Sequence, residues 1–293
     1  MATLLDFIGN TPLVELKVIN KNKNVKLFAK LEGHNPGGSV KDRAAFGLIK
    51  GAIERGELKS GMKLIEATSG NTGIALAMIA RLMNVDIEIV MPENSTRERV
   101  LTMRAFGATV TLTPEVVGME GAINYAESKV KQGGFLMLNQ FANEDNPQMH
   151  YKTTGPEIFK DTEGKITHFV SAMGTTGTIM GVSKYLKEQN STIQIIGAQP
   201  KDGAKIPGIR KWPIEYLPKI FDRKRIDQII EVSEEEAKNM TKRLAIEEGI
   251  FGGMSSGGAV TIGLKLAEKI NEGVIVCIIC DRGDRYLSTN LFE

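Results

Sequence analysis

The sequence predicts an α/β fold of mostly parallel sheets flanked by helices, on three observations. Short β-branched runs alternate with helix-length segments from Lys63 to Cys280. Two of the strand-to-helix junctions are dense in glycine and hydroxyl residues. At 293 residues the chain also exceeds the size at which one core usually keeps growing, so two domains are expected. Strands separated by helix-length crossovers imply parallel pairing, with both sheet faces covered.

The elements follow in order. Asn35-Pro36-Gly37-Gly38-Ser39-Val40-Lys41-Asp42-Arg43 precedes a helix running to about Arg55. The spacing then predicts a strand over 63–67, a helix over 73–83, a strand over 86–91 and a helix over 95–106, the last opened by a capping box between Ser95 and Glu98. A strand over 109–113 and a helix over 119–131 complete the first half. The second half repeats the plan: strand 168–173, helix 178–188, strand 193–199, strand 227–232, helix 234–248 with a capping box at Ser233 and Glu236, and strand 274–280. Between 201 and 222 lies an irregular stretch holding Pro207, Pro213 and Pro218. Its apolar anchors Ile206, Ile209, Trp212, Tyr216 and Leu217 mark it as a functional loop rather than a linker.

Composition narrows the function. The chain is 42% hydrophobic and 25% charged, with 37 Lys+Arg against 35 Asp+Glu and a net charge of +2. No basic field exists to neutralise a polymer of phosphates, so no nucleic-acid partner is expected. The first residues lack a signal-peptide pattern and no apolar run approaches the ~18 residues of a membrane span, so no membrane partner and a cytoplasmic location are expected. Cys277 and Cys280 lie in one strand-like run on opposite faces, so they read as core thiols, and no metal site is expected.

The two rich junctions are Thr68-Ser69-Gly70-Asn71-Thr72-Gly73 and Gly174-Thr175-Thr176-Gly177-Thr178. At the carboxyl end of a parallel strand the next helix offers free N–H groups and the positive end of its dipole, and glycine lets the backbone approach a ligand. Either junction alone is an ordinary capped turn. Two of them, without a G-x-G-x-x-G or a P-loop pattern, point to a phosphate- or carboxylate-sized anion. Gly253-Met254-Ser255-Ser256-Gly257 matches G-x-S-x-G, but His34, His150 and His168 all precede the serine and no strand leads into it, against a serine hydrolase. Lys41 in the first turn of a helix opposes the dipole; alone it reads as a solvated charge, and beside two anion loops it invites a functional role.

At these segments the chain resembles the fold type II pyridoxal-phosphate enzymes, the tryptophan synthase β-like group, and within them the cysteine synthases. The likeness runs from Ile8-Gly9-Asn10-Thr11-Pro12-Leu13 to Asp281-Arg282-Gly283-Asp284-Arg285-Tyr286-Leu287-Ser288. Ile209-Arg210-Lys211-Trp212-Pro213 and Cys280-Asp281-Arg282-Gly283-Asp284 resemble the B-type O-acetylserine sulfhydrylases. The resemblance implies a smaller, mobile substrate-side domain over 36–145, and a larger cofactor-binding domain from 1–35 and 146–293.

It also implies roles. Lys41 would hold pyridoxal 5'-phosphate as an imine and then act as general base. Gly174, Thr175, Thr176, Gly177 and Thr178 would hold the phosphate, Asn71 the ring oxygen, and Ser255 would face the pyridine nitrogen. Thr68, Ser69, Thr72 and Gln140 would bind the substrate carboxylate, and Arg210 an oxyanion of thiosulfate. The implied reaction is β-replacement, giving L-cysteine from O-acetyl-L-serine and sulfide, or S-sulfocysteine from thiosulfate, through an α-aminoacrylate in a homodimer. The alternatives are an O-phosphoserine-using or cystathionine β-synthase-like enzyme and, more remotely, a non-catalytic scaffold. The chain departs from the family pattern at His34, where Asn is common, at Gly252, where Cys is common, and at Lys211, where a second arginine is expected.

Overall fold

Ten strands and nine helices carry out the predicted alternation in a computed structural model that describes residues 1–293. In chain order the strands are β1 (Leu13–Glu15), β2 (Val25–Leu31), β3 (Lys63–Ala67), β4 (Ile87–Pro92), β5 (Thr109–Thr113), β6 (Phe135–Leu136), β7 (His168–Ala172), β8 (Gln194–Pro200), β9 (Gln228–Val232) and β10 (Gly273–Ile279). The helices are α1 (Lys41–Glu54), α2 (Asn71–Leu82), α3 (Arg97–Ala105), α4 (Gly118–Gln132), α5 (Asp145–Lys152), α6 (Thr154–Asp161), α7 (Gly177–Gln189), α8 (Glu234–Glu248) and α9 (Met254–Ala267). None is long and apolar enough to cross a membrane.

The chain divides into two units. One comprises Met1–Ile8 with Lys41–Asn146, the other Gly9–Val40 with Pro147–Glu293. In the first, four parallel strands lie in the order β5-β4-β3-β6. Residues alternate between two apolar layers: Leu64, Ile87 and Ile89 pack with α1 and α2, while Ile65 and Val90 pack with Ala122 and Ala126 of α4. Burial on both faces is why the central strand β4 reads as a nearly continuous apolar run. From Thr72 to Ala80, α2 is buried on every side, and each fully buried Leu or Ile there contributes about 1.5–3 kcal/mol.

The second unit carries a six-stranded sheet ordered β1-β2-β10-β7-β8-β9, parallel except for the β1–β2 pair. Ile275, Cys277 and Ile279 face the layer containing α9, whereas Val276 and Ile278 face the layer of α6 and α7. Cys277 and Cys280 are both free, and burial pushes the Cys277 thiol upward in pKa. A side chain at Gly263 of α9 would collide with Cys277 Sγ, so glycine lets that helix lie close on β10.

Two local expectations change. The box at Ser233 and Glu236 forms as expected, with Ser233 N donating to Glu236 Oε2 at 2.8 Å and Glu236 N donating to Ser233 Oγ at 3.2 Å. The box at Ser95 and Glu98 does not: α3 is capped by Thr96, without a side-chain cap, because Ser95 N is spent on a turn closed by Pro92 O. Strands β1, β2 and β6 and helices α5, α6 and α9 are additions to the predicted plan. In β2 the apolar pattern is broken by Lys30, which is fully buried, paired with Glu157 at 2.9 Å and Asp161 at 3.1 Å and donating to Thr11 O at 2.7 Å.

Sheet order decides where ligands can lie. In the first unit the chain moves from β3 to β4 on one side and returns with β6 on the other; in the second it moves from β7 to β8 and returns with β10. The carboxyl ends of β3 and β7 are therefore topological switch points, the positions at which open α/β sheets leave a crevice.

Candidate functional site

Both glycine-rich junctions lie at those switch points. In the first unit, Thr68 N continues the ladder by donating to Val90 O at 3.0 Å, and Ser69 and Gly70 then lead into α2. Gly70 caps the helix without a side chain, and Gly73 and Ile74 N–H both turn back to Gly70 O. A Cβ at Gly73 would lie 2.7 Å from Met103 Cε and 3.1 Å from Thr68 Cγ2, so glycine gives α2 its close start beside Thr68 and α3.

Thr72 and Gln140 come together from the ends of β3 and β6. Thr72 Oγ1 donates to Gln140 Oε1 at 2.8 Å, and both residues are buried. Gln140 O accepts from Asn146 Nδ2 at 2.8 Å. Thr68 is buried, Ser69 and Asn71 are half-buried, and Arg99 Nη1 reaches Ser69 O at 3.4 Å. Lys41 is the first residue of α1 and half-buried, and the two residues after it, Asp42 and Arg43, are fully buried. Burial also holds the Glu66 carboxyl well above the usual carboxylate range, at about 7, against the opposing pull of backbone N–H groups of Asn139, Leu138 and Gln140.

In the second unit, Met173 N donates to Ala198 O and the chain then bends through Gly174 to α7. Thr176, the N-cap, takes the left-handed conformation at φ 71°, which turns its side chain away from the capping position. Its Oγ1 is buried without a hydrogen-bond partner. Such a hydroxyl costs about 1–3 kcal/mol unless something completes it. Thr175 Oγ1 accepts from Gly177 N at 3.4 Å, and Thr178 Oγ1 lies 3.3 Å from Nε2 of the buried His150.

The loop over 201–222 supports this turn. Arg210 N donates to Met173 O at 2.8 Å and Trp212 Nε1 to Gly174 O at 2.8 Å. A Cβ at Gly174 would lie 2.6 Å from Gly208 O, and one at Gly208, at φ 87°, would lie 3.3 Å from Ser255 Cβ and Oγ. Gly174, Gly208 and Ser255 are thus one contiguous surface. Ser255, the second residue of α9, is buried. A cavity of about 900 Å³ lies along the loop, lined in part by Ile206, Gly208, Arg210 and Trp212.

Arg210 is exposed, with its guanidinium carbon 5.2 Å from the Trp212 ring centroid. Lys211 is committed elsewhere: its Nζ lies 2.7 Å from both Asp202 and Glu231, and those hydrogen bonds raise its pKa. The first unit thus gathers Thr68, Ser69, Asn71, Thr72 and Gln140, and the second gathers Gly174–Thr178, Arg210 and Ser255. Sequence reasoning missed Glu66 and Trp212. A lone acid in an apolar strand was the available signal for Glu66, and Trp212 offered none beyond its anchoring role.

Comparison with known proteins converges on one family. A family model described as pyridoxal-phosphate dependent enzyme matches residues 4–281. Cysteine synthase B of Pseudomonas aeruginosa is 54% identical, with 99% of this chain and 97% of that protein covered. Cysteine synthase B of Escherichia coli is 53% identical over 100% of this chain and 96% of that protein. A crystal structure of a cysteine synthase from Entamoeba histolytica superposes with a TM-score of 0.95 at 39% identity, covering 100% of this chain and 90% of the other. With its two switch-point junctions and this full-length likeness, the chain belongs to the pyridoxal-phosphate-dependent enzymes, in their cysteine synthase branch.

Proposed function

We propose that the chain makes L-cysteine from O-acetyl-L-serine and sulfide, with pyridoxal phosphate as cofactor. The observation that carries the cofactor is the donor set at the start of α7. Gly174 and Gly177 leave the backbone bare, Thr175, Thr176 and Thr178 bring hydroxyls, no acidic side chain stands among them, and Thr176 Oγ1 is buried with no partner of its own. That set fits a phosphate, because its anionic oxygens can accept from several N–H and O–H donors at a helix start. The product is taken from the relatives' name, cysteine synthase, and the acetylated substrate from the O-acetylserine sulfhydrylase resemblance.

On this reading Gly174–Thr178 would hold the phosphate, Asn71 the ring oxygen and Ser255 the pyridine nitrogen, and Lys41 Nζ would hold the aldehyde. When bound, pyridoxal phosphate supplies an electron sink for charge developing at the substrate α-carbon. Thr68, Ser69, Thr72 and Gln140 bind and orient the substrate carboxylate. Lys41 Nζ would take the α-proton as a general base. The neutral hydroxyl of Ser255 would donate to the ring nitrogen without keeping it protonated as an aspartate would, an environment suited to loss of a good leaving group from the β-carbon. The resemblance extends to a homodimeric assembly. For thiosulfate, Arg210 is the loop cation at hand, since Lys211 is occupied by two carboxylates.

The test is optical and kinetic. The purified protein, loaded with pyridoxal phosphate, is expected to be yellow, to change its visible band on addition of O-acetyl-L-serine, and to release cysteine once sulfide is supplied. Lys41→Ala is expected to lower turnover by at least about a thousandfold, as loss of a nucleophile and base does. A preparation that stays colourless with pyridoxal phosphate, or a Lys41→Ala protein that turns over undiminished, overturns the reading.

A further inference from the structure

Glu66 breaks the apolar run of β3 and is 5% exposed, a costly place for a carboxyl without a task. The ladder between β3 and β6 ends early, after Lys63↔Phe135 and Leu64↔Leu136. Past Leu136 the backbone leaves the sheet, and Asn139 takes φ 52°. The N–H groups freed there turn to Glu66, whose Oε2 accepts from Leu138 N at 3.2 Å and Asn139 N at 3.3 Å. One carboxyl thus replaces the missing strand partner for two successive residues. Gln140 follows directly on these two, and its side chain accepts from Thr72 at 2.8 Å.

We propose that Glu66 is a positioning residue for the substrate-carboxylate subsite: it anchors the backbone at Leu138 and Asn139 and thereby aims the next residue, Gln140, at Thr72. The inference rests on the functional reading above, which assigns that subsite to Thr68, Ser69, Thr72 and Gln140. Glu66 itself touches neither substrate nor cofactor. Its raised pKa follows from the same burial, and a carboxyl that is partly protonated near neutrality still offers an oxygen to the N–H groups.

Two variants test it in the holoenzyme. Glu66→Met keeps the length of the side chain and removes the acceptor, and Glu66→Gln keeps an accepting oxygen. Glu66→Met is expected to raise KM for O-acetyl-L-serine by about tenfold or more while kcat stays within about threefold and pyridoxal phosphate affinity is unchanged. Glu66→Gln is expected to recover KM to within about threefold. A wild-type KM in Glu66→Met, or a fall in kcat and cofactor affinity matching the rise in KM, overturns the positioning role. Should Glu66→Met fail to fold, Glu66→Asp, one methylene shorter, is combined with Gln140→Ala. Adding Glu66→Asp to Gln140→Ala is then expected to change KM less than about twofold, and full additivity overturns the role. Wild-type protein that makes no cysteine defeats the functional reading and the subsite with it, whereas an active wild type with an insensitive Glu66→Met defeats the positioning role alone.

Discussion

The two glycine-rich junctions look alike in sequence and occupy equivalent switch points, yet their polar groups are treated in opposite ways. At the end of β3, Thr72 and Gln140 satisfy each other at 2.8 Å, and the backbone behind Gln140 is held by Glu66. At the end of β7, Thr176 is left with a buried hydroxyl and no partner, while the surrounding backbone is braced by Gly208, Arg210 and Trp212. In the first, the Thr72–Gln140 pair is satisfied within the chain itself, which suits a ligand that comes and goes with each turnover. The second is completed only by something bound, which suits a resident anion.

The comparison can be broken first through Glu66, where the largest effect is expected. Its folded pKa of about 7 stands above the unfolded value of 4.5, so its contribution to stability is full below about pH 4.5 and is lost as the pH rises through 7. Over that window the loss amounts to about 3 kcal/mol. Urea unfolding at pH 5 and pH 8 is expected to show Glu66→Gln falling less with pH than wild type. An equal fall in both proteins removes the carboxyl from the first junction's support.

The hydroxyls come next. Thr72→Val strands Gln140 Oε1 and is expected to lower the stability of the cofactor-free protein by about 1–3 kcal/mol. Thr176→Val removes a hydroxyl that bonds nothing, so the cofactor-free protein is expected to keep its stability while pyridoxal phosphate binds about tenfold more weakly. Thermal unfolding and cofactor titration separate the two, and matching behaviour in both variants erases the contrast. The smallest effect concerns the bracing loop. Arg210→Ala is expected to reduce turnover with thiosulfate by about tenfold and turnover with sulfide by less than about twofold, through loss of one charge-assisted contact. Equal losses for both donors remove Arg210 from sulfur-donor choice.

Much of this was legible in the residues. The strands over 63–67 and 109–113 and the helix over 234–248 with its Ser233 box appear as read, because period, propensity and capping are local properties. The Lys41 segment and both hydroxyl-rich junctions could be singled out for the same reason. Other signals misled where local and global demands part: Ser95 offered a capping pattern that a turn consumed, and β2 was hidden by a buried lysine whose acidic partners lie more than a hundred residues away.

What the sequence determined by itself is the βα alternation and the chemistry at each strand end. Tertiary structure decided the rest: that the strands order as β5-β4-β3-β6 and β1-β2-β10-β7-β8-β9, that Thr72 meets Gln140, that Trp212 reaches Gly174, and that the Thr176 hydroxyl meets nothing. Whether a polar group is satisfied depends on what distant segments bring to it, and sheet pairing, not local propensity, chooses those neighbours.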